Sequence, residues 1–178
     1  MARVEALLIG GRSGVGKSVV GWEVSARLRA AGVARAIVEG DFMGHVHPPP
    51  AGDPDRTGLV ERNLTAVWAN FAALGYRRLI YTNTLSVLPE LTGMFERALG
   101  ADVRLIRVLL TASDATAHAR LTARELGSEL EDGLRTSDAR ARVLDTAVTA
   151  TRVPTDGRSV IDVATEIVAL TGWLSRGC

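Results

Sequence analysis

The chain has 178 residues, 47% hydrophobic, 23% charged and 4% aromatic, with a formal net charge of +1. That composition supports one well-buried core and weighs against a broad basic surface for nucleic acid, and no apolar run approaches the roughly 18 residues of a membrane span. The N-terminus enters a strand-like run with no signal-peptide pattern, and the one cysteine, Cys178, has no internal partner, so a cytoplasmic protein is expected.

Val4–Ile9 is a short, mostly apolar run ending in glycines, the pattern of a buried parallel strand. Residues 17–31 carry Val20, Val24 and Leu28 at helical spacing and stop at Gly32. Ala36–Val38 is a second short strand leading into Glu39-Gly40-Asp41. Residues 42–57, with His45, His47, three consecutive prolines and Gly52, hold too many breakers for regular structure. Helical spacing resumes over Leu59–Leu74, followed by a third strand over Leu79–Thr82 and a helix over 88–99. Val103–Leu110 is a fourth strand, after which Ser113 or Asp114 caps a helix through Leu126. A polar segment over 127–145 has a second cap candidate at Ser137, and residues 149–153 form a weak fifth strand. Val160, Val163, Ile167, Leu170 and Leu174 make the apolar stripe of a closing helix. Strands alternating with helices predict an α/β fold, a parallel sheet wrapped by helices in a single domain over 1–178.

Gly11-Arg12-Ser13-Gly14-Val15-Gly16-Lys17-Ser18 matches the P-loop pattern at all eight positions. Glycines let successive backbone N–H groups face phosphate oxygens, and the following helix adds its positive end. Lys17, the single lysine beside twenty arginines, reaches the β- and γ-phosphates as an exposed side chain, and the Ser18 hydroxyl is a magnesium ligand. The motif follows a strand and opens a helix, which is the context that nucleoside triphosphate binding requires.

Asp41 stands at the end of the second strand, where ligands bind in open parallel sheets. Its carboxylate is suited to accept a proton from an attacking hydroxyl, or to hold magnesium through water. Glu39 has the same strand parity, with a surface role equally open to it. His45 and His47 are candidate substrate contacts, although the pair lacks further ligands for zinc. After the third strand Thr82-Asn83-Thr84 offers no carboxylate before Glu90, which weighs against a motor- or switch-type ATPase. Asn83 is a candidate for a metal-bound water or a substrate hydroxyl. Arg120 and Arg124, four apart on one helix face, are candidate lid arginines for charge on a transferred phosphoryl group. Arg135, Arg140 and Arg142 are further candidates that spacing does not rank.

Gly11–Ser18, Gly40-Asp41, the Arg120/Arg124 helix and the Pro154-Thr155-Asp156-Gly157 turn occur in the order seen in small P-loop kinases. The chain resembles that superfamily, nearest to chloramphenicol phosphotransferase-like and tunicamycin-resistance-like proteins. The resemblance implies a five-stranded sheet of order 2-3-1-4-5, a short lid at about 114–145, and ATP with Mg2+. It also implies Asp41 as acceptor base, Arg120 and Arg124 as lid arginines, and Thr155, Asp156, Gly157 and Arg158 as the adenine-side loop. The segment typical of adenylate kinases after the third strand is absent, and so are lid cysteines. The expectation is an ATP-dependent kinase of a small metabolite or antibiotic, with metabolism and antibiotic resistance both open as its role. The alternative is a nucleotide-binding module that sequesters or senses a ligand without efficient transfer, and Asp41 discriminates the two.

Overall fold

The computed structural model describes residues 3–124, 128–147 and 149–174, without the side chains of residues 124, 128, 129, 146 and 147. Cys178 and the Arg124 side chain therefore lie outside the described set. Five strands make one parallel sheet: β1 (Glu5–Gly10), β2 (Ala36–Glu39), β3 (Arg78–Thr82), β4 (Arg104–Thr111) and β5 (Thr151–Pro154). Their order is β2-β3-β1-β4-β5, as the resemblance implies. β1 lies at the centre, with Leu7 level with Ile80 of β3 and Ile106 of β4.

All six residues of β1 are buried, because helices cover both faces of the sheet. The two-residue strand period divides them. Ala6 and Leu8 pack with Leu64, Trp68, Met94 and Phe95, from α2 (Thr57–Ala73) and α3 (Thr92–Leu99). Leu7 and Ile9 pack with Val20, Val24 and Leu28 of α1 (Lys17–Ala30) and with Val163 and Ile167 of α6 (Val160–Thr171). Burying each such Leu, Ile or Phe contributes about 1.5–3 kcal/mol. The result is a three-layer sandwich in which every strand ends at the same edge, so the loops after β1, β2, β3 and β5 share one rim.

α4 (Asp114–Arg124) and α5 (Ser128–Ala147) follow β4 and rise over that rim. The polar segment expected over 127–145 is thus helical along its described length. Ser137, expected to cap a helix, lies buried in the middle of α5. Local composition misleads here because the partner that makes a buried serine worthwhile, Arg12, is 125 residues away. The cap at Ser113 is as expected: its hydroxyl accepts from Thr116 N at 3.3 Å. Among the described residues no helix is long and apolar enough to cross a membrane.

Candidate active site

The P-loop runs from the end of β1 into α1. Gly14 has φ +88°, and a Cβ there would lie 2.4 Å from the Ala117 carbonyl oxygen of α4. Only glycine satisfies both the backbone angle and that close approach. Lys17 is not the exposed side chain expected of it: it is 8% exposed, and its Nζ donates to the Arg12 carbonyl at 3.4 Å.

Arg12 departs furthest from its expected place. A P-loop residue is expected at the nucleotide, yet the Arg12 side chain is 4% exposed and faces the helices above. Its guanidinium pairs with Asp114 of α4 and Asp138 of α5, and its Nε donates to Ser137 Oγ at 2.8 Å. Asp138 also meets His118 Nε2 at 2.8 Å. His118 and Arg12 together hold the Asp138 carboxyl below the usual aspartate range. Three sides of the guanidinium fork are thus occupied by protein partners.

The carboxylate joined to Ser18 is that of Glu39. Strand parity explains it: Ile37 and Glu39 face α1, while Ala36 and Val38 face the opposite layer. Ser18 Oγ donates to Glu39 Oε2 at 3.1 Å, and Trp22 Nε1 donates to Glu39 Oε1 at 2.7 Å. Hard oxygen donors on one hydroxyl and one carboxylate fit Mg2+, which keeps several waters and takes its other ligands from phosphates. Among the described residues there is no group of three or more His, Cys, Asp or Glu side chains that could hold a metal.

Asp41 lies beyond Glu39, in a 3-10 turn over Gly40–Phe42. Its Oδ1 accepts from Asn83 Nδ2 at 2.9 Å and from the Thr84 amide at 3.3 Å. The carbonyl of that same Thr84 accepts from Gly11 N at 3.1 Å. One residue after β3 therefore ties the carboxylate to the start of the P-loop. Asp41, Asn83 and Ser13 border a cleft of about 670 Å³, with Leu88, Met94 and Phe95 on its apolar wall. Burial first, and the Asp41 charge second, push the Tyr81 phenol upward, so it stands there as a protonated group. His45 and His47 are exposed on the following loop and do not border the cleft.

Arg120 is expected over the transferred phosphoryl group, and the structure turns it elsewhere. Its Nη1 donates to Thr155 Oγ1 at 3.0 Å and to the Val15 carbonyl at 3.3 Å, and its Nη2 to the Thr155 carbonyl at 3.3 Å. The cause is the short β4–α4 connection, which lays α4 along the flank of the P-loop. Arg120, Thr155 and Arg158 border a separate cavity of about 200 Å³ with Val15, Val19 and Val160. Asp156 does not join them; it accepts from Ser113 N and Oγ at 3.0 and 2.9 Å. Thr116 and Ser113 lower its pKa. Gly157 takes φ +65° at the turn. Arg140, which spacing does not rank, borders the same 670 Å³ cleft as Asp41, Asn83 and Ser13.

No family model matches the chain, and neither does any curated protein. Solved structures do. The chain is similar to a tunicamycin resistance protein from Deinococcus radiodurans, with a TM-score of 0.66 and 21% identity over 96% of each chain. It is similar to a gluconokinase from Sinorhizobium meliloti 1021, with a TM-score of 0.62 and 20% identity over 98% of this chain and 94% of that one. An APS kinase from Mycobacterium tuberculosis, solved with AMPPNP and APS, gives 0.59 and 20% over 96% and 99%. The chain shares the fold of these three proteins.

Proposed function

We propose that this protein is an ATP-dependent phosphotransferase that moves the γ-phosphoryl group of ATP to a hydroxyl of a small-molecule acceptor. The observation that carries the reading is the pairing of two carboxylates at one strand end: Glu39 on Ser18 of the P-loop, and Asp41 at the acceptor cleft. The P-loop backbone and Lys17 bind the β- and γ-phosphates. Ser18 and Glu39 are the residues that would hold Mg2+, which when bound neutralises phosphate charge. Asp41, aimed by Asn83 and Thr84, orients the acceptor hydroxyl and takes its proton. The acceptor oxygen bonds to the γ-phosphorus as the bond to the β–γ bridging oxygen breaks, and ADP leaves. Arg140 supplies positive charge from the cleft side, while Arg120, Thr155 and Arg158 border the base and ribose.

A cleft of this size admits a metabolite or a small antibiotic. The alternative, a nucleotide-binding module without efficient transfer, draws support from Asn83 standing where many P-loop enzymes carry an aspartate. Calorimetry of ATP binding tests the common ground of both readings. Binding in Mg2+ should be lost in Lys17→Ala and weakened in Glu39→Gln, with the Glu39→Gln defect absent in EDTA. Wild-type ATP affinity in Lys17→Ala would remove the nucleotide site.

A further inference from the structure

Trp22 is 55% exposed, whereas Trp68 and Trp173 are 4% and 0% exposed. An indole so open to water gains little from burial, yet its N–H is placed on a carboxylate at 2.7 Å. Ser18 and Trp22 are four residues apart, on one face of α1. They grip the two oxygens of Glu39 separately, Ser18 on Oε2 and Trp22 on Oε1.

We infer that Trp22 is a positioning residue for the metal end of the site: its indole N–H fixes Glu39 so that Oε2 stays turned toward Ser18 and a hydrated Mg2+. The inference rests on the phosphotransferase reading, and within it on Glu39 serving the metal. A glutamate side chain left unheld at a half-buried site samples several rotamers, and one donor on one oxygen selects among them. Magnesium demands near-octahedral geometry from few protein ligands, so the aim of that carboxylate matters. The two donors differ in chemistry. Ser18 can donate its proton to Oε2 and offer a lone pair to the metal at once, while the indole N–H donates and never accepts. Trp22 therefore holds Oε1 alone and leaves Oε2 to Ser18 and the hydrated metal.

The test is ATP binding, by calorimetry, across a Mg2+ titration in wild type, Trp22→Phe, Glu39→Gln and the double variant. Phenylalanine keeps an aromatic ring and lacks the N–H. Trp22→Phe should raise the Mg2+ concentration needed for half-maximal binding by about tenfold, with binding in EDTA unchanged. Glu39→Gln should do the same or more, and the double variant should match Glu39→Gln alone. A Mg2+ dependence in Trp22→Phe equal to wild type, alongside a defect in Glu39→Gln, overturns the positioning role and spares the metal site. A Trp22→Phe defect of full size in the Glu39→Gln background overturns it too, because Trp22 then acts elsewhere. A Glu39→Gln protein that binds Mg2+ and ATP as wild type does removes the metal reading of Glu39, and this inference with it.

Discussion

The hydroxyl of Ser137 donates to the Ser13 carbonyl at 3.0 Å and accepts from Arg12 Nε at 2.8 Å. One buried side chain in α5 thus holds two consecutive residues of the P-loop, joining that loop to the helix. Ser137→Ala deletes both bonds and strands a buried Nε. The expected cost is about 1.5 kcal/mol, a fall of about 3–6 °C in Tm, with weaker ATP binding in addition. Differential scanning calorimetry with and without ATP checks it, and an unchanged Tm would mean the helices are not fastened through this residue.

Asp138 makes the same connection sensitive to acid. Its carboxyl is held below its usual value of 3.8, first by His118 and then by Arg12. A depressed carboxyl contributes stability that is complete above that ordinary value and is lost as pH falls below it through the folded value. Asp156, lowered by Thr116 and Ser113, acts in the same direction. Tm measured across the acid range should fall less steeply for Asp138→Asn than for wild type. Parallel curves for the two proteins would contradict this assignment.

Gly40 sits against the Tyr81 ring. A Cβ at Gly40 would lie 2.1 Å from Tyr81 Cζ and 2.2 Å from its hydroxyl. Tyr81 is itself buried edge-on against Phe95, with ring centroids 5.3 Å apart. Gly40→Ala should cost about 1–3 kcal/mol from overpacking and disturb the neighbouring Asp41. Removing only the hydroxyl leaves the ring clash, so Tyr81→Phe should not rescue it, whereas the smaller Tyr81→Leu should. Denaturant melts of the single and double variants decide the point.

Arg120→Ala separates the nucleotide side of the site from the reacting side. Its hydrogen bonds run to Thr155 and the Val15 carbonyl, so its loss should raise KM for ATP several-fold and leave kcat near wild type. Arg140→Ala should do the reverse. A kcat defect confined to Arg120→Ala would restore Arg120 to the transferred phosphoryl group.

Much of this site is legible in the amino-acid sequence. The P-loop declares itself because eight adjacent residues carry its whole geometry, and Asp41 because strand ends line up in a parallel sheet. Glu39 is half legible: parity puts it on a face, and the i, i+4 spacing of Ser18 and Trp22 is the available signal for what it meets there. Arg12 and Arg120 escape a local reading for a common reason. Both answer to α4 and α5, whose seat on the P-loop depends on contacts more than a hundred residues apart, such as Arg12 to Asp138 and Arg120 to Val15. Ser137 reads as a cap because a serine in a polar helix gives no local sign of being buried.

The most direct test of phosphoryl transfer compares wild type with Asp41→Asn in one assay. ATP labelled in its γ-phosphate is supplied with Mg2+ and a library of hydroxyl-bearing metabolites and antibiotics, and phosphorylated products are detected by mass. Asp41→Asn keeps the side-chain shape and removes the base. The account predicts a labelled acceptor with wild type and a yield lower by about 100-fold with Asp41→Asn, while calorimetric ATP binding stays equal in the two proteins. Equal product from both proteins, or ATP bound with no acceptor labelled by either, would contradict it.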